Sequence, residues 1–326
     1  MHTLPISQNF MSLTAPSNPA STVADNAFIQ EIRMGLLQSA AAISPKFLYD
    51  PLGSHLFTAI TLLPEYYPTN TERFIFERYK KEIAGAVGSG GVFIDLGAGN
   101  CQKAESFFDV LTPSAYVAID FSAEYLTTAV DGLKGKYPGI AMHAIAMDFT
   151  QALALPESIP NGKRTFFYPG SSIGNFLPHE AKHLLTEIKR QGGNGGLLIG
   201  VDLMKEDSVL MAAYDDPLKI TAAFNLNILR SVNALIGSNF NVAQFKHVVQ
   251  INRQDSRVEL YLEALEDITV AWPRQEREFQ QGERIHTENS HKYTKESIEL
   301  LLRQAGFTQM QFFTDPKHYF AVIYAE

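Results

Sequence analysis

The period of the apolar positions changes several times along this chain. Phe28, Ile29, Ile32, Leu36 and Leu37 recur at helical spacing, which places the start of ordered structure near Ala27. Residues 44–71 are rich in aromatic side chains and punctuated by proline, with tyrosine-rich clusters on either side of a short apolar helix. A longer helix is predicted from about 70 to 87, opened by Thr71-Glu72 and stopped at Gly88. Strands and helices then alternate. Apolar runs predict strands at 92–96, 115–120, 140–146, 165–168 and 196–202, with helical patterns around 103–111, 123–134 and 179–191. Strand, crossover and strand in repetition specify an α/β fold, a doubly wound parallel sheet with helices on both faces.

After Asp202 this rhythm breaks. Residues 208–239 read as helical, 248–252 and 257–264 as two strands joined by a turn, and 268–272 as a third strand. A polar stretch follows as far as Glu288. An amphipathic helix over 294–304, stopped by Gly306, precedes strands at 308–313 and 319–324. The closing helix and hairpin return to the style of the first sheet. The expected organisation is therefore a flexible leader, 1–28, followed by two lobes. Residues 71–204 and 293–326 form the sheet domain, while 29–70 and 205–292 form a second, mixed α+β lobe.

Composition narrows the function classes. The 326 residues are 45% apolar and 19% charged, near the globular average, which excludes fibrous and mainly disordered classes. With 27 Lys and Arg against 35 Asp and Glu, the net charge is −8, and no basic patch offsets it. A nucleic-acid partner is not expected. No apolar run approaches the ~20 residues of a membrane span. The first 26 residues hold no Lys or Arg and so lack the basic start of a secretory signal. A single cysteine, Cys101, excludes an internal disulfide. These features point to a soluble, cytoplasmic protein, with a monomer as the default expectation.

The sharpest motif is Val92-Phe93-Ile94-Asp95-Leu96-Gly97-Ala98-Gly99-Asn100, an apolar strand running into a Gly-x-Gly turn. Gly97 and Gly99 allow a tight turn and close approach of a ligand to the backbone. A dinucleotide fingerprint would have a third glycine at position 102, which is Gln102. Asp120 closes the next strand at about the offset where a carboxylate meets ribose hydroxyls. Asp148 follows the third strand, with Phe149 beside it. Taken singly, these residues also fit an ordinary strand-end turn with three acids. Glycine loop, ribose acid and Asp-Phe together resemble the cofactor site of class I S-adenosylmethionine-dependent methyltransferases, which have a Rossmann-like sheet. By that resemblance Asp148 holds the adenine amino group and Phe149 packs nearby.

Further segments narrow the resemblance. Tyr49-Asp50-Pro51-Leu52-Gly53-Ser54, Leu63-Pro64-Glu65-Tyr66-Tyr67-Pro68-Thr69 and Gly170-Ser171-Ser172-Ile173-Gly174-Asn175 are three of them. Ala213-Tyr214-Asp215-Asp216, Thr221-Ala222-Ala223-Phe224-Asn225 and Thr287-Glu288-Asn289-Ser290 complete the set. From about Ser44 to its end the chain resembles the L-histidine Nα-methyltransferases of ergothioneine biosynthesis. The resemblance implies that Tyr66 and Tyr214 hold the substrate carboxylate and Asn175 the α-amino nitrogen. It also implies that Glu288 and Ser290 grip the imidazole, with Tyr49 helping through water. Lys103 would join Gly97 and Gly99 at the methionine end of the cofactor. Leu260 stands at a pocket-wall position where the resemblance leads one to expect Met, and Asn100-Cys101-Gln102 replaces a more common Ser/Thr-rich segment.

Methyl transfer to an amine is an in-line displacement that needs positioning more than a strong base. Asn175, with both a donor and an acceptor, suits that task; Asn175 and Tyr66 are the expected catalytic pair. Glu288 and Ser290, two apart on an extended segment, face one side and can satisfy both nitrogens of an imidazole. Two alternatives remain open: the same chemistry on another amino acid such as tryptophan, and a non-catalytic cofactor-binding protein. One by one, the tyrosines read as core aromatics, Asn175 as a turn residue, and Tyr214 and Glu288 as solvated. His179-Glu180-Ala181-Lys182-His183 satisfies the zinc-protease pattern H-E-x-x-H, but no third ligand follows it and no metal is expected.

Overall fold

Short apolar runs flanked by turn residues build the centre of the molecule. The computed structural model describes residues 19–326 except 151. Strands β1 (Val92–Leu96), β2 (Ala115–Asp120), β3 (Ala141–Ala146), β4 (Arg164–Tyr168) and β5 (Leu197–Asp202) run parallel. β1 and β5 are buried along their whole length, as expected of strands covered on both faces. The last two strands, β11 (Met310–Thr314) and β12 (Phe320–Ala325), complete the sheet, in the order β11-β12-β5-β4-β1-β2-β3. β12 is antiparallel to both its neighbours, so one reversed strand lies inside an otherwise parallel sheet.

Helices cover both faces. On one side lie α7 (Pro178–Gly192) and α10 (Lys295–Gln304), whose Leu185, Ile188, Ile298 and Leu302 pack on Ile94, Phe166 and Ile199. The other side carries α3 (Tyr67–Val87), the one-turn helices α4 (Gln102–Glu105) and α5 (Phe108–Leu111), and α6 (Ala123–Lys136). Here Ile75, Phe76, Phe107 and Val130 pack on Phe93, Tyr116 and Phe167. α10 starts with a capping box, Thr294 and Ser297 satisfying each other's backbone N–H.

A second core lies beside the sheet. Helices α1 (Pro19–Leu36), α2 (Pro51–Ile60), α8 (Asp207–Tyr214) and α9 (Ile220–Ile236) surround two small antiparallel sheets. One is β10-β7-β6, from β6 (Phe245–Asn252), β7 (Arg257–Ala264) and β10 (Arg284–His291). The other pairs β8 (Ile268–Trp272) with β9 (Gln275–Phe279). Leu36, Phe47, Ile228, Val232, Leu262 and Ile285 form its buried centre.

Three expectations change. Residues 19–28, assigned to the leader, belong to α1; residues 1–18 of that leader lie outside the described residues. The helical stretch 208–239 is two helices, because the Asp216 carboxylate accepts the N–H groups of Ile220 and Thr221 and starts α9 afresh. The polar stretch after Trp272 is β9 followed by β10. β9 is largely exposed and escaped notice because its alternation is of charged residues, whereas β10 hides one buried face behind a polar sequence.

Candidate active site

The glycine turn is fixed to the end of the neighbouring strand. The N–H groups of Gly97 and Ala98 both donate to the Ile119 carbonyl, 2.9 and 3.1 Å away, which brings the turn beside Asp120. Gly97 and Gly99 have φ of +71° and +52°, and a Cβ built on either meets nothing within 4 Å. Bare backbone thus faces open space, as a cradle for a ligand requires. Asp120 accepts from the Gly99 N–H (2.9 Å) through one oxygen and the Ser122 N–H (3.1 Å) through the other. Beneath them Asp95 is buried, and burial pushes its carboxyl up to about 7, although the Tyr116 hydroxyl donates to it at 2.8 Å.

Asp148 lies two residues beyond β3, next to Phe149, whose ring meets Tyr168 edge-on at 5.9 Å. Lys46 donates to one Asp148 oxygen at 3.0 Å, and Thr150 donates to the other through its N–H at 3.1 Å. Burial opposes the charge, but the bonds from Thr150 and Lys46 hold this carboxyl below its usual range. Lone pairs remain on both oxygens for a further donor. Lys103, from α4, donates to Glu72 at 2.6 Å; the other Glu72 oxygen accepts the Gly170 N–H at 2.7 Å. Two carboxylates with free lone pairs, a lysine and an open glycine turn are chemically compatible with S-adenosylmethionine.

Next to this cradle, beyond the ends of β4 and β5, lies a cavity. Its lining includes Tyr49, Tyr66, Asn175, Tyr214, Leu260, Glu288 and Ser290, so every residue expected at the substrate converges there. A chain of ring edges places the three tyrosines. Tyr49 meets Phe57 and Phe224, each at 5.5 Å, Phe57 meets Tyr66 at 6.2 Å, and Tyr66 meets Tyr214 at 6.4 Å. Burial, then neighbouring charges or hydroxyls, raises all three phenols well above their ordinary value, so they stay protonated and able to donate. Asn175 ends a 3-10 turn, Ser172–Asn175, that Ser171 enters with φ of +59°. Gly174 presses this turn on β10: a Cβ there would stand 2.9 Å from the His291 carbonyl oxygen. Leu260 on β7 pairs with Glu288 on β10, beside a register shift between His286 and Glu288. Burial raises Glu288 to about 7, against the pull of Lys292 and of the Asn175 side chain.

At the wall of the cavity, centred on Asp202 of its lining, sits a set of charges that the sequence did not announce. Asp202, at the end of β5, is held by Lys205 and by Lys292, the latter at 2.7 Å, and accepts the Tyr67 hydroxyl at 2.7 Å. Burial disfavours the Asp202 anion, yet Lys292 and Lys205 overcome this and keep its carboxyl low. Lys292 also donates to the Tyr214 hydroxyl (2.6 Å) and to Ser290 Oγ (2.7 Å), and those two oxygens are 2.7 Å apart. The one available signal was that Lys292 lies two residues beyond Ser290, on the same face of an extended segment. His179 and His183 of the H-E-x-x-H string are exposed on α7, and Glu180 caps that helix by accepting the Leu177 N–H at 2.8 Å.

A doubly wound sheet with one reversed strand, a glycine turn and acids at successive strand ends define a methyltransferase of the S-adenosylmethionine-dependent class. Residues 28–326 match the family of histidine-specific, SAM-dependent methyltransferases. The chain is 35% identical over 314 residues to the histidine N-alpha-methyltransferase of Mycolicibacterium smegmatis, covering 94% of this chain and 97% of that one. It is 32% identical to the protein of the same name from Mycobacterium tuberculosis, covering 89% and 91%. The ergothioneine biosynthesis protein 1 of Neurospora crassa is 31% identical over 83% of this chain and 32% of its own length. The chain belongs to the histidine-specific, S-adenosylmethionine-dependent methyltransferases.

Proposed function

We propose that the protein methylates the α-nitrogen of L-histidine three times, to the betaine hercynine, as the first step of ergothioneine biosynthesis. The convergence of Tyr49, Tyr66, Asn175, Tyr214, Glu288 and Ser290 on one cavity beside the glycine turn carries this reading. The names of its relatives support it.

When bound, S-adenosylmethionine supplies an electrophilic sulfonium methyl. Asp120 takes the ribose hydroxyls, Asp148 the adenine amino group with Phe149 alongside, and Lys103 the methionine carboxylate over Gly97 and Gly99. Tyr66 and Tyr214 donate to the histidine carboxylate, and the Asn175 amide aims the amine lone pair. Holding amine and methyl in line is the main source of acceleration, and the ammonium proton leaves to water. Glu288 accepts from one ring nitrogen and Ser290 donates to the other, with Tyr49 acting through water and Leu260 forming the wall. A ligand without the ring strands both polar groups, which selects against leucine or phenylalanine.

In this reading 71–204 and 293–326 are the cofactor lobe, and 29–70 with 205–292 the substrate lobe. The protein acts in the cytoplasm, as a monomer, on a free amino acid. Mass spectrometry of amino-acid mixtures incubated with protein and S-adenosylmethionine tests the proposal. Mass gains of one, two and three methyl groups on histidine alone are expected. Methylation of tryptophan instead overturns the Glu288 and Ser290 roles, and no methylated product despite cofactor binding overturns the enzyme reading.

A further inference from the structure

The cavity presents a charge problem. Its lining contains two acids, Asp202 and Glu288, and no lysine or arginine. A substrate carboxylate entering it meets hydroxyl groups and the Asn175 amide, next to carboxylates of its own sign and without a cation. An anion moved out of water into such a place needs a counter-charge. The ammonium nearest those hydroxyls is Lys292, whose side chain is wholly buried.

The hydrogen bonds around Lys292 can be counted. An ammonium has three N–H donors. Here they go to Asp202, Tyr214 and Ser290, so none is left to touch a substrate. Both hydroxyl oxygens therefore act as acceptors toward Lys292, and both hydroxyl protons must point away from it. One of these protons closes the bond between Tyr214 and Ser290. A ligand that breaks that bond receives two donors, each polarised by the cation behind it. Lys205, the other buried lysine, is committed elsewhere: it faces Asp202, the Tyr67 hydroxyl and the Leu203 carbonyl.

We infer that Lys292 is a specificity-determining positioning residue, the hidden counter-ion of the substrate carboxylate, acting through the Tyr214 hydroxyl it orients, while the Ser290 proton is left for the ring. The inference rests on the proposed placement of the carboxylate at Tyr66 and Tyr214. It explains how a pocket lined by acids accepts an α-amino acid, and it makes the carboxylate a determinant of affinity. Amines that carry the imidazole ring but no carboxylate bind more weakly.

The test compares L-histidine with L-histidinol, which replaces the carboxylate by a neutral hydroxymethyl group. Affinities are measured by calorimetry on the full chain with S-adenosylhomocysteine present. The wild type is expected to bind histidine at least about tenfold more tightly than histidinol, the difference of one charge-assisted hydrogen bond. Lys292→Met should bring that ratio to within about twofold of one while S-adenosylhomocysteine affinity stays unchanged. Lys292→Gln keeps polar hydrogens but no charge; it should lose the ratio equally and decides the matter should the Met variant not fold. A wild-type ratio near one overturns the inference without any variant, as does a Gln variant that keeps the wild-type ratio. Wild-type protein that neither binds nor methylates histidine instead refutes the proposed function, so the two failures are distinguishable.

Discussion

Replacing Glu288 by glutamine should make the ligand-free protein more stable and the enzyme worse. The side chain is half-buried, and its carboxyl is raised from 4.5 to about 7, first by burial. The folded protein thus holds this proton more tightly than the unfolded chain does. Its stabilising contribution is complete below pH 4.5 and is lost as pH rises through 7. At pH 8 the wild type therefore carries a penalty of up to about 3 kcal/mol, an upper limit because the group is partly solvated. Near pH 5 the penalty is below about 1 kcal/mol. Glutamine has the same shape and no charge, so Glu288→Gln should gain stability at pH 8 and little at pH 5. Urea unfolding at the two pH values measures both figures. In turnover the change replaces a charge-assisted hydrogen bond to the ring by a neutral one, about 1–1.5 kcal/mol, hence about tenfold in kcat/KM for histidine. An equal gain at both pH values refutes the raised carboxyl; unchanged kcat/KM refutes its contact with substrate.

Asp120→Ala should weaken S-adenosylmethionine binding by about 10- to 100-fold, the loss of charged hydrogen bonds to ribose, with little change in kcat at saturation. A calorimetric titration reads this, and a raised histidine KM with unchanged cofactor affinity would falsify the assignment. Gly174→Ala drives a methyl group against the His291 backbone and should cost about 1–3 kcal/mol while displacing Asn175. Its kcat should fall while cofactor affinity holds; an unaltered kcat means that β10 does not set the position of Asn175.

Much of the fold was legible because it rests on contiguous apolar runs. β1 and β2 begin and end where the pattern of Val92–Leu96 and Ala115–Asp120 places them, and β7 and β8 likewise follow their alternation. β9 was hidden because Gln275-Glu276-Arg277-Glu278 has no apolar face to reveal, and its burial falls on Phe279 alone. The lining of the candidate site was legible as a set of residues in order along the chain, while the contacts between them were not. Lysines are ordinarily exposed, so nothing in the sequence separates the buried Lys205 from the solvated ones, and only its spacing from Ser290 sets Lys292 apart. Glu72 reads as a first-turn acid favouring a helix start. In the structure it is buried well inside the first two turns of α3, because Tyr67 and Pro68 begin the helix earlier and turn Glu72 toward Lys103.

That single carboxylate has a thermodynamic consequence. One Glu72 oxygen holds Lys103, the residue proposed for the cofactor carboxylate, and the other holds the backbone of Gly170, which opens the loop leading to Asn175. In that reading a cofactor carboxylate that draws Lys103 away removes the counter-charge of Glu72, and with it alters the strength of its grip on the Gly170 N–H. The two ligands are then expected not to bind independently. Whatever factor the cofactor imposes on histidine affinity, histidine must impose on cofactor affinity, since the cycle closes. Measured in pairs, the four dissociation constants should show one common coupling factor different from one, and Glu72→Gln should bring it toward one. Four constants with no coupling in the wild type would mean that the two halves of the site do not communicate through this residue.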